Sequence, residues 1–299
     1  MNALVKKRKI VFTFYSKRQL SKTTVVNYTT AVRQYLDYIE KNHLEMNFQS
    51  ISNWLQTFDN ALTYNFKLQG VKAYFLKYFE HESMDKYLEL ERGFSSMKRK
   101  KARIAVDDSR YITYAEYQTL VSVDTLRQLK SYCHHNNELA GYSDDTIQRI
   151  NLFIQALFWT GCRISELLSI KVKDCSTNTI TLIKINNGKG GKDRLVYLQK
   201  DIYNKIRKAF NGKVYLFETR KGTQFNRLNV TRDIHRFAKK IIGRDISAHT
   251  LRHSKAMYLK EVRHLSPDQV AKALGHSSVL TTLQHYFHGT PTAEAQGIY

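Results

Sequence analysis

Only two prolines interrupt 299 residues, and apolar side chains recur at three- and four-residue steps through long segments of the chain. Proline removes a backbone donor and clashes with the preceding turn, so a chain almost without it can run long helices. Val25, Tyr28, Val32, Tyr35, Leu36 and Ile39 predict a first helix beginning near Ser21. Ile51, Trp54, Leu55 and Phe58 predict a second over about 50–58, and Leu68, Val71, Phe75 and Phe79 a third over about 63–80. A fourth covers about 84–92. Short loops join these helices into a bundle over residues 21–93, preceded by a basic arm at 1–20. Residues 94–110 break the pattern and carry Lys98, Arg99, Lys100, Lys101 and Arg103. They read as a basic linker between domains, where a run of cations is either a solvated strip or a phosphate contact.

A second domain is expected over 111–299. Thr113-Tyr-Ala-Glu116 is a capping-box pattern. Ile147, Ile150, Phe153, Ile154 and Leu157 mark one face of a helix over 143–159, which Thr160-Gly161 ends. Thr179 to Ile185 alternates apolar and polar residues as a strand does, and Arg194 to Leu198 is its predicted hairpin partner across the glycine-rich turn Asn187–Asp193. Helices are predicted at about 201–210, 229–241, 248–262 and 266–274, the last opened by an N-capping Ser266 and Pro267. The fold class is mainly α with a small β-sheet, in two domains.

Hydrophobic residues make up 42% of the chain, enough for a core, while the formal net charge of +22 calls for a polyanionic partner. Nucleic acid is the first reading and a membrane surface the second. No apolar run approaches the ~20 residues of a membrane helix. The opening residues lack the apolar stretch of a signal peptide, so a cytoplasmic protein is expected. Cys133, Cys162 and Cys175 are too scattered for a disulfide framework. Cys133-His134-His135 has no second Cys or His pair at zinc-ligand spacing, and no metal site is expected.

Certain polar residues invite chemistry. His249 and Arg252, three apart, share a helix face. Arg163 follows a glycine break and heads a short apolar helix over 164–170, so turned inward it needs an anion; Glu166 is the simple ion-pair partner. His276 follows Leu274-Gly275, where a histidine capping the helix end is the plain reading. Tyr286 is one of nineteen tyrosines and gains meaning only from its neighbours.

Taken together, five segments resemble the tyrosine recombinase family, the phage integrases and Xer-type recombinases. They are Thr160-Gly-Cys-Arg-Ile-Ser-Glu-Leu-Leu168, Gly188-Lys-Gly-Gly-Lys-Asp-Arg-Leu-Val196, His249-Thr-Leu-Arg-His253, Leu274-Gly-His-Ser-Ser278, and Thr281-Thr282 leading to Tyr286-Phe-His288. They stand in the family's order and at compatible spacings. The resemblance implies an N-terminal SAM-like four-helix core-binding bundle and a C-terminal α+β catalytic domain. It implies that Arg163 and Arg252 clamp the non-bridging oxygens of a DNA phosphodiester and that His276 adds a hydrogen bond to them. Tyr286 would be the nucleophile and His249 the acceptor of its proton. Lys189, with Lys192 as a stand-in, would protonate the leaving 5′ oxygen, and Glu166 would orient the cations around it. The basic linker residues would lie along phosphates.

A 3′-phosphotyrosine keeps the energy of the broken bond, so the implied reaction needs no metal, ATP or other cofactor. Gly188-Lys-Gly-Gly-Lys192 agrees in lacking the spacing of a Walker loop. The implied partners are double-stranded DNA recombination sites, bound by a homo-tetramer, without a membrane. Two alternatives share the resemblance: a type IB topoisomerase-like relaxing enzyme, and a catalytically inactive DNA-binding protein of the same fold.

Overall fold

The computed structural model describes residues 14, 20–101, 110–127, 142–186, 193–276 and 278–287. The chain divides into two compact units, Met1–Arg103 and Ile104–Tyr299.

In the first unit, α1 spans Lys22–Lys41, α2 Phe48–Gln56, α3 Ala61–Glu82 and α4 Met84–Ser96. Each start is set by a short polar side chain that accepts from an otherwise orphaned backbone N–H. Ser21 accepts from Thr24, Asn47 from Ser50, Asn60 from Leu62 and Thr63, and Ser83 from Lys86. The predicted apolar positions meet in one core, in which Val32, Tyr35, Ile51, Leu55, Val71 and Phe75 are fully buried. Tyr35 satisfies its buried hydroxyl on Ser50 at 2.7 Å, pinning α1 to α2. The fourth helix runs to Ser96, past the predicted start of the linker, because Phe94 is buried edge-on against Phe48.

In the second unit, α5 spans Tyr114–Val121, α6 Asp144–Thr160 and α7 Ile164–Leu168. Three strands follow, β1 Cys175–Thr177, β2 Ile180–Ile185 and β3 Arg194–Gln199, then α8 Lys200–Phe210 and α9 Arg227–Ile242. The last helices are α10 Ala248–Met257, α11 Pro267–Leu274 and α12 Val279–Tyr286. The sheet is antiparallel in the order β1-β2-β3, with Ile185 opposite Arg194 and Ile183 opposite Val196. Among the described residues the molecule is therefore mainly helical with one small sheet, as its periodicities predict. No helix among them is long and apolar enough to cross a membrane.

The Thr113–Glu116 capping box forms, and Arg244 adds a 2.9 Å contact to the Glu116 carboxylate. Helix α6 is buried well beyond its predicted stripe, with Leu152, Ala156 and Phe158 also enclosed, because elements pack on several of its sides. The helix predicted over 248–262 is α-helical only to Met257. Residues Tyr258–Val262 widen into a π turn, closed by the Arg263 N–H on the Tyr258 carbonyl. Strand β1 and helix α12 have no counterpart in the sequence reading. Both are short, and neither shows a periodic run long enough to identify it.

Candidate active site

The site begins where α6 stops. Gly161 takes a left-handed conformation, φ 60°, and donates its N–H to the Leu157 carbonyl. A Cβ there would come within 2.8 Å of the Leu274 side chain, so the end of α11 rests directly on the glycine. Arg252, on α10, ties the two ends together. It donates through Nη1 to the Gly161 carbonyl and through Nη2 to the Leu274 carbonyl at 2.8 Å. These bonds let a guanidinium sit at 2% exposure. Burial first, then the charges of Arg163 and Arg194, lower its pKa to about 10, with Glu166 opposing. It remains a cation at neutral pH. Gly161→Ala should lose about 1–2 kcal/mol of stability, since a Cβ is strained in this conformation and here also meets Leu274. Urea unfolding reads this, and unchanged stability would contradict the packing described.

Two residues beyond the glycine, Arg163 heads α7. Its N–H donates to Glu166 Oε2 at 2.9 Å, and its Nη1 to Oε1 at 2.8 Å. From the sheet, Arg194 donates Nη2 to the same Oε2 at 2.6 Å and approaches Cys162 Sγ at 3.7 Å. One carboxylate therefore holds two guanidiniums. Burial opposes its ionisation, but bonds from Arg194, then from the Arg163 backbone and side chain, outweigh that and hold it down to about 2. A carboxyl depressed from 4.5 to about 2 stabilises the fold above its ordinary pKa and loses that contribution as pH falls through the interval between them. The contribution is roughly 3 kcal/mol at neutral pH. Urea unfolding from pH 6 to pH 2 should show it in the wild type and a flatter profile in Glu166→Gln. Parallel profiles would remove Glu166 as the cause.

Helix α12 brings in Tyr286, which is 5% exposed. Its Oη lies 2.6 Å from His253 Nδ1. The His276 ring is nearly parallel to the phenol, 6.2 Å between centroids. His276 Nδ1 is fixed at 2.7 Å from the hydroxyl of Thr282, which is fully buried on α12. The His249 ring stands edge-on to His253, one turn along α10, with centroids 4.3 Å apart. Burial pushes the Tyr286 phenol up to about 12, with the Arg252 charge pulling the other way.

The structure thus gathers Arg163, Glu166, His249, Arg252, His276 and Tyr286 around one locus. Lys189 and Lys192 lie outside the described residues, as do Arg103 and Cys133-His134-His135. Of the linker cations, Lys98, Arg99 and Lys101 are exposed. Lys100 instead turns onto the first unit. Its Nζ donates to the Phe58 carbonyl at 2.9 Å and sits 4.6 Å from the Tyr64 ring centre, while Asn65 pairs with its backbone N–H and C=O.

Two residues escaped notice in the sequence. Arg194 occupies the inward phase of β3, shared with the buried Val196 and Leu198. A cation at that phase of a strand requires a buried partner, and this alternation was the available signal. His253 stands next to Arg252 and four residues after His249, on the same helical face as the latter. That spacing gives proximity, but which ring meets Tyr286 depends on how α12 docks.

Residues 124–292, more than half of the chain, match the profile of the phage integrase family. The TnP I resolvase of Bacillus thuringiensis is 29% identical over 287 residues, covering 91% of this chain and 92% of that protein. Tyrosine recombinase XerA of Saccharolobus solfataricus is 27% identical over 277 residues, covering 89% and 82%. In fold, the chain is similar to the XerH site-specific recombinase in its post-cleavage complex with difH DNA. That match has a TM-score of 0.67 at 21% identity, over 91% of this chain and 79% of that one. With the family profile spanning the helices and sheet that build the site, this chain belongs to the phage integrase family, the tyrosine-type site-specific DNA recombinases.

Proposed function

We propose that this recombinase cuts and rejoins duplex DNA by esterifying the Tyr286 oxygen to a DNA 3′ phosphate, without metal or ATP. The observation that carries the reading is the placement of a buried phenol beside a buried arginine. The Arg252 charge acts on Tyr286, and Tyr286 Oη already meets an imidazole. Attack on a phosphodiester builds negative charge on the non-bridging oxygens. Arg252 spends two of its five N–H donors on carbonyls, which leaves three that a phosphate can engage. Arg163, 29% exposed at its side chain and held by Glu166, clamps a second oxygen. His276, oriented by Thr282, adds a neutral donor through its other nitrogen. His249 serves the proton of Tyr286 through the neighbouring imidazole of His253, and Lys189, or Lys192 in its place, delivers a proton to the 5′ oxygen.

Residues 21–93 serve as a SAM-like core-binding bundle, with 1–20 a basic arm, 94–110 a linker and 111–299 the catalytic domain. Lys98, Arg99, Lys101 and Arg103 contact phosphates, while Lys100 secures the segment to the bundle. A crystal structure of lambda integrase is described as a tetramer bound to a Holliday junction. The same assembly on two recombination sites is proposed here, working in the cytoplasm. The test is covalent capture. Full-length protein is incubated in EDTA with a pool of nicked duplexes of randomised sequence, and a denaturing gel should show a protein–DNA adduct. An adduct that requires added magnesium or ATP would overturn the metal-free mechanism.

A further inference from the structure

We infer that His253 is a catalytic residue, the immediate acceptor of the Tyr286 proton during strand cleavage. The inference rests on Tyr286 being the nucleophile and deepens that reading. A buried phenol must place its O–H on an acceptor, and His253 Nδ1 is 2.6 Å away. That separation is within reach for general base catalysis before DNA arrives. The ring is held by its helix. His253 lies on α10 next to Arg252, whose guanidinium is locked between the Gly161 and Leu274 carbonyls. The His249 ring packs against the His253 ring edge-to-face at 4.3 Å. His249 thereby becomes a positioning residue for His253.

The step balances without an added reactant. As the bond from phosphorus to Tyr286 Oη forms and the bond to O5′ breaks, the phenol proton passes to His253 Nδ1, giving an imidazolium. The departing O5′ takes its proton from the separate acid assigned to Lys189. Rejoining reverses both transfers, with the imidazolium returning its proton to the phenolate as O5′ attacks. The groups facing this pair include His276 from beyond α11, stacked on the phenol, His249 from α10 itself, and Arg252, whose charge acts on Tyr286.

Two measurements decide the matter. The first is nitrogen-15 NMR of the full chain. Above its own titration, His253 should carry its proton on Nε2 and leave Nδ1 bare, and Tyr286→Phe should shift the Nδ1 resonance. A proton on Nδ1 would mean that the imidazole donates to the phenol, and would overturn the inference. The second is the rate of adduct formation against pH on the nicked randomised duplexes. Glutamine can still accept from the phenol but cannot take its proton. His253→Gln should slow adduct formation roughly 100-fold or more and erase the acidic limb of the profile, while His249→Gln keeps that limb. Wild-type rate and limb in His253→Gln overturn the inference. If Tyr286→Phe still forms adduct, the nucleophile assignment itself fails. If that variant is inert and His253→Gln is unaffected, only the role of His253 falls.

Discussion

Tyr286→Phe is expected to reduce covalent adduct on nicked DNA below detection while leaving the fold and DNA binding in place. The ring stays, so the packing of α12 against Met257, Val270 and Leu274 in their shared apolar cluster is kept. What is lost is one oxygen and its hydrogen bond to His253, a cost of about 1 kcal/mol. A phenyl group offers no lone pair to phosphorus, so no residual chemistry at this position is possible. Nineteen tyrosines make the control informative. Tyr258 and Tyr299 are the next candidates by position, and an adduct surviving in the Phe variant would direct attention to them. Retained binding in a gel shift, with adduct lost, separates the chemical role from a folding defect.

Arg252→Lys should lower the cleavage rate by about 10²–10³-fold, the range seen when one donor to a developing oxyanion is removed. Charge is conserved in this change, so geometry is what it tests. The guanidinium fork reaches the Gly161 and Leu274 carbonyls at once and still has donors to spare. A lysine ammonium is a single point on a flexible stem and cannot serve both carbonyls and a phosphate. One carbonyl left without a partner in so enclosed a place also costs roughly 1–3 kcal/mol of stability. Single-turnover adduct formation and urea unfolding measure the two effects. A lysine variant that cleaves at the wild-type rate would show that Arg252 is a structural brace only.

Much of this architecture could be read from the chain because it depends on local rules. Thr113 and Ser266 cap their helices as their patterns predict, and the helices expected from Ser21 and Ser143 begin there, each of these serines acting as the N-cap. Strands β2 and β3 pair as expected because alternation marks both of them. What could not be read depends on contacts between distant segments. The π turn at Tyr258–Val262 interrupts a continuous helical pattern, and nothing in that pattern announces it. Lys100 sits in a basic run, yet its ammonium answers to Phe58 and Tyr64. Arg163 forms the ion pair with Glu166 that the sequence offered as its simple partner. Arg194 joins the site from the inward phase of β3, whose pattern is otherwise set by apolar residues, and its partner Glu166 lies on a distant segment. The imidazole that meets Tyr286 was settled by the docking of α12, a helix too short to show itself in the sequence.

The most direct test of the account is to identify the atom that carries the DNA. The covalent complex formed by wild-type protein on nicked duplex can be isolated, digested with protease and nuclease, and sequenced by mass spectrometry. The account predicts a nucleotide 3′-phosphate on Tyr286. The same mass on any other residue, or attachment through a 5′ phosphate, would contradict it.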